Sequence, residues 1–199
     1  EKKNAKRMAT VAAVYTIAPF VRKPEDLVPE NNSVRSEPSH PRPEQKRVWA
    51  SLEKTPQEVI EKVFEEAAYR DRGHQKSWVA LVDGNKPQIR ILRRMAKDKG
   101  IDLAIIVDII HVIEYLWKAG RVFYPKAESE LESWVRIRLL EILRGKAGYV
   151  AGGMRRSATR RGLLGKERKP VDTCANYLLT YAPYIKYNLY LTKGFPIAT

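Results

Sequence analysis

Hydrophobic positions follow two patterns along this chain, and the change from one to the other falls near residue 108. Before it, short apolar runs alternate with helical stretches. Residues 8–17 (MATVAAVYTI) and 47–52 (RVWASL) are rich in β-branched and aromatic types and read as strands. Between them lie Pro19, Pro24, Pro29, Pro38, Pro41 and Pro43, so a long, mostly irregular connection joining two antiparallel strands is expected. Thr55, Pro56 and Glu58 make a capping box, and Val59, Ile60, Val63, Phe64 and Ala67 follow at helical spacing, which predicts a helix over 56–70. Residues 78–82 (WVALV) and 103–107 (LAIIV) are apolar at every position, as strands buried on both faces of a parallel sheet tend to be. Each run ends in an aspartate. Ile89, Leu92 and Met95 between them predict a helix over 88–99 that stops at Gly100, so the unit reads strand, helix, strand.

After Asp108 only helical periodicities remain, and the second half reads as all-α. Leu131, Trp134, Val135, Leu139, Ile142 and Leu143 line one face of a helix ending near Gly145, and 172–191 hold aromatics and leucines at irregular helical steps. A chain of 199 residues, 44% hydrophobic, supports one domain or one with a sizeable insertion. Cys174 is the only cysteine, which excludes an internal disulfide and a cysteine-built zinc or iron–sulfur site; a reducing cytoplasm fits. Asp108, His111 and Glu114 interrupt the one long apolar stretch, so no membrane span is expected. The opening Lys2, Lys3, Lys6 and Arg7 before an apolar run imitates a secretory leader, but Thr10, Tyr15 and Thr16 favour a strand. A start on Glu rather than Met points to a fragment.

The net charge of +14 calls for an anionic partner, with nucleic acid the leading candidate. The excess is concentrated: residues 144–169 hold nine basic side chains against Glu167 alone, a surplus of +8. Arg155, Arg156, Arg160, Arg161, Lys166, Arg168 and Lys169 are the expected DNA contacts, and the glycines among them allow close approach to phosphates. A solvated basic surface without a partner is the alternative.

Asp83 and Asp108 close two strands that a right-handed crossover makes parallel, so both carboxylates emerge at one edge of the sheet, where open α/β sheets keep their sites. Carboxylates there suit Mg²⁺ and phosphoryl transfer. The structural alternatives are a turn at Asp83-Gly84 and a helix cap at Asp108. His111, one helical turn past Asp108, is either a ligand or acid/base group or a histidine hydrogen-bonded to Asp108. His40 and His74 lie in polar loop-like sequence, and Cys174 reads as a small buried residue.

The blocks KRMATVAAVYTIAPFVRKPED, RPEQKRVWASLEK, WVALVDGN, IIVDIIHVIEYLWKA, GMRRSATRRGL and KPVDTCANYLLTYAPYIKYNLYLTKGFPIAT resemble, in order, bacterial insertion-sequence transposases of the Kra type, DDE enzymes related to the Mutator-like group. The resemblance covers residues 6–199. It implies an RNase H-like mixed α/β sheet, here incomplete and lacking its first strand, over 1–111, followed by a basic all-α insertion domain over 112–199. It makes Asp83 a catalytic acid and metal ligand, and Asp108 and His111 resemble the family's Asp-x-x-His element; the expectation for these two is a supporting role in which the carboxylate caps the helix and orients the imidazole. The family's first aspartate, in a DGKG-like context, precedes the opening block, and its third acid, in a GVIEG-like context, follows the last. The resemblance therefore implies an internal fragment with one of three catalytic acids. In the complete enzyme Mg²⁺ or Mn²⁺ would serve DNA strand cleavage and transfer, with a homo-oligomer acting on element ends and target DNA in the cytoplasm, away from membranes. Two alternatives stand beside it: a non-catalytic DNA-binding remnant of a decayed element, and an unrelated small α/β metal enzyme using Asp83 and Asp108.

Overall fold

The computed structural model describes residues 9–28 and 40–198. Lys2, Lys3, Lys6 and Arg7, with Pro29 and Pro38 of the expected connection, lie outside the described residues. Within them the chain is a mixed α/β protein with four strands and eight α-helices, and every element after Asp108 is helical. It forms two compact units, one from 9–18, 40–80 and 85–104, the other from 19–28, 81–84 and 105–198. The expected division between 111 and 112 falls inside a continuous helix, α4 (Ile109–Phe123).

In the first unit, β1 (Thr10–Thr16) pairs antiparallel with β2 (Glu44–Ser51), Ala12 opposite Trp49 and Val14 opposite Arg47. The connection between them is not wholly irregular. Its Pro24 opens a single helical turn, α1 (Pro24–Leu27), whose Asp26 carboxylate accepts the Lys23 N–H at 2.7 Å. Helix α2 (Pro56–Arg70) has the predicted bounds. Its Thr55 hydroxyl accepts the Glu58 N–H at 3.3 Å, while the Glu58 carboxylate accepts the Thr55 N–H at 2.7 Å, which satisfies two otherwise orphaned donors. Val59, Ile60 and Phe64 are buried where α2 packs on β1 and α3 (Lys86–Asp98). Buried Asp71 accepts from the backbone of Gln75 and Lys76 and, at 2.9 Å, from the Trp78 indole, tying the end of α2 to the start of β3 (Trp78–Val82). Helix α3 begins two residues ahead of the predicted start because Asn85 caps it, accepting the Gln88 N–H at 3.2 Å.

β3 and β4 (Leu103–Val107) form a second two-stranded sheet, separate from β1–β2. The expected single mixed sheet is not what the described residues form.

The second unit is helical. Helix α4 packs on α5 (Glu128–Leu143) and α7 (Gly165–Thr180), and α6 (Ala147–Arg160) packs on α7. Val112, Leu116, Ile142, Leu143, Ala151 and Leu178 are wholly buried between them. A 3-10 turn, Ala182–Tyr184, leads into α8 (Tyr187–Thr192), and the segment around Phe20 and Arg22 is bonded to Gly194 and Leu191. No helix among the described residues is long and apolar enough to cross a membrane.

Candidate functional site

The Asp108 N–H donates to the Val82 carbonyl at 2.8 Å, so the carboxyl ends of β3 and β4 lie side by side and the chain leaves both strands at one edge. The two aspartates there differ. Asp83 is exposed. Asp108 is 4% exposed, and its carboxylate accepts the Ile110 N–H at 2.9 Å, capping α4 where the helix dipole favours a negative charge. The His111 N–H donates to the Asp108 carbonyl at 3.2 Å, whereas its imidazole Nδ1 stands 3.8 Å from Glu114. Asp108 thus caps α4, and the Glu114 carboxylate, one turn further along, stands beside the His111 imidazole.

Three tyrosines that the sequence reading did not single out hold this edge. Tyr177 donates to the Asp83 carbonyl at 3.3 Å, Tyr181 to the Gly84 carbonyl, and Tyr187 to the Val107 carbonyl at 2.7 Å. Gly84 adopts φ +90°, and a Cβ on it would stand 3.0 Å from the Tyr177 hydroxyl. Burial pushes the phenols of Tyr177 and Tyr187 far above their ordinary value, with neighbouring tyrosines and Asp108 adding to it for both and Asp83 for Tyr177, so both remain neutral donors. The available signal was tyrosine rather than phenylalanine at buried helical positions, since a buried hydroxyl takes a partner.

Among the described residues no three His, Cys, Asp or Glu side chains converge to hold a metal. The resemblance implies Asp83 as one of three acids, while the Asp108 carboxylate caps α4. The described residues do not bring such a set together. Cys174 is fully buried and its thiol is pushed up to about 12 by burial, which leaves it unreactive at neutral pH.

The basic segment folds as a hairpin of α6 and α7, turning at Gly162 and Gly165, whose φ values of +65° and +51° serve the turn itself. Its seven expected DNA contacts divide. Arg155 donates to Asn176 at 2.6 Å and lies 3.6 Å from Asp172, and Arg168 reaches Asp172 and Thr159 at 3.0 Å each, so both tie α6 to α7. Arg161 donates to the Phe123 carbonyl at 2.7 Å, with its guanidinium over the Phe123 and Tyr124 rings. Arg156, Arg160, Lys166 and Lys169 are exposed and have no ion pair among the described residues. On α6, Tyr149 is 68% exposed, and the space beside Gly148 and Gly153 is open.

In comparisons with protein-family models, curated proteins and solved structures, no match is found.

Proposed function

We propose that this chain belongs to a DNA transposase of the Kra type, that it grips DNA through the α6–α7 hairpin, and that Asp83 is one acid of the strand-cleaving site. The observation that carries this reading is the outer surface of the hairpin. Arg156, Arg160, Lys166 and Lys169 stand exposed without ion pairs among the described residues, and the backbone at Gly153, one turn before Arg156, is open. Arginine and lysine so presented displace counterions from phosphates, and bare glycine backbone lets a strand approach closely. Such contacts position DNA without reading its sequence.

The test is binding to duplex DNA over a range of salt. Changing Arg156, Arg160, Lys166 and Lys169 together to alanine is expected to flatten the slope of log affinity against log salt by about 3.6, at about 0.9 per phosphate contact, equally on unrelated sequences. An unchanged slope sinks the reading. A second reading, a DNA-binding remnant of a decayed element without catalysis, rests on the same exposed cations and needs no role for Asp83. Strand cleavage by a protein that carries this chain and supplies the other two acids separates the two.

A further inference from the structure

Helix α3 carries a charge pattern that its own stability does not explain. Ile89, Leu92 and Ala96 are buried in the first unit. Lys86, Arg90, Arg93, Arg94 and Lys97 are all exposed, and at 3.6 residues per turn they occupy an arc of about 100° on the opposite side. Lys86–Arg90, Arg90–Arg93, Arg90–Arg94, Arg93–Lys97 and Arg94–Lys97 are three or four residues apart, the spacing at which like charges repel on a helix. Arg94 lies 3.7 Å from Asp98, an attractive contact between side chains 79% and 64% exposed, whereas Lys86, Arg90 and Lys97 have no ion pair among the described residues. The first turn has no acid, and Lys86 occupies the first helical position, where the dipole disfavours a cation.

A helix that concentrates cations against its own electrostatics fits an external polyanion. A lipid surface is a poor match, because interfacial helices bury an apolar face in the bilayer and that of α3 is already inside the unit. Charge spacing favours a nucleic-acid backbone. From Lys86 to Lys97 the rise is about 16 Å, or roughly one cation per 4 Å, while a duplex presents one phosphate per about 3.4 Å of axis on each strand.

We propose that the exposed face of α3 is a second binding surface for the phosphate backbone of duplex nucleic acid, on a different compact unit from the α6–α7 hairpin. It requires neither strand cleavage nor any contact by the hairpin.

The experiment uses the whole chain and a duplex of arbitrary sequence. The variant Lys86→Gln, Arg90→Gln, Lys97→Gln removes three cations that have no ion pair among the described residues, and it relieves repulsion, so its melting temperature should hold or rise. Its salt slope is expected to fall by about 2.7, whereas Lys86→Arg with Lys97→Arg keeps the full slope. The hairpin variant is measured beside it. A slope that falls with the hairpin variant and not with the α3 variant overturns this proposal alone; the reverse overturns the hairpin reading alone. A loss confined to one DNA sequence also overturns it, since backbone contact is blind to sequence. So does competition by polyglutamate as effective as that by DNA at equal charge, which makes the face one for acidic proteins.

Discussion

The Tyr187 hydroxyl and the Val107 carbonyl show how single polar atoms define the strand edge. Both are fully buried, so Tyr187→Phe removes one buried hydrogen bond and is expected to cost about 1–2 kcal/mol, read by urea denaturation. Gly84→Ala should cost a similar amount, about 1–2 kcal/mol, because an L-residue is strained at φ +90° and its methyl meets the Tyr177 hydroxyl. Asp71 makes a pH prediction. Its hydrogen bond from Trp78, with those from Gln75 and Lys76, holds its carboxyl below the ordinary value of 3.8. The stability this supplies is complete above that unfolded value and is lost as pH falls through the lower folded value. Thermal melting below pH 4 should therefore be less steep in Asp71→Asn than in the wild type. None of these partners was legible in sequence: Asp71 and Trp78 meet only because a turn brings them together, and the tyrosines meet strand carbonyls about 80 to 97 residues away.

At the scale of elements, local chemistry was a sound guide wherever a helix begins on its own cap. Thr55 and Glu58 define the start of α2, and Thr55→Ala should cost about 1 kcal/mol. Asn85 defines α3 in the same way, but Lys86 and Pro87 at its start are not apolar, so hydrophobic spacing began the helix too late. The α6–α7 hairpin illustrates the limit. Nine basic residues in one segment were plain in the sequence, but their division into ties and exposed cations depends on Asp172 lying across from Arg155. Asp172→Ala removes the acid that Arg155 and Arg168 share and leaves them, among the described residues, only the neutral Asn176 and Thr159, so it should lower stability by about 0.5–1 kcal/mol and steepen the salt slope of DNA binding. A shallower slope would mean that the two arginines act on DNA only while held.

For the whole molecule, the chain passes between its two compact units five times, and both β3 and β4 start in one and end in the other. A cut at 111 would sever α4 within its first turn. If Asp83 is a catalytic acid, Asp83→Asn in a protein carrying the full acid set should abolish strand cleavage while the salt slope of DNA binding stays as it was. Cleavage at a tenth of wild type or better would remove Asp83 from the site, since losing a group that stabilises the transition state costs about a hundredfold or more.

What the sequence determined by itself was what depends on near neighbours along the chain: the four strands, the capped start of α2, the helical second half, the buried Cys174 and the local density of charge. Turn chemistry, caps and hydrophobic period act over a few residues, so they can be read in one dimension. Tertiary structure alone decided that the strands form two sheets, that Asp108 is buried while Asp83 is exposed, and that three tyrosines clamp the strand edge. It also decided which arginines are taken up in ties. Those outcomes rest on burial and on partners far apart in sequence, and a side chain's dielectric surroundings and its hydrogen-bond partner exist only once the chain has closed around it.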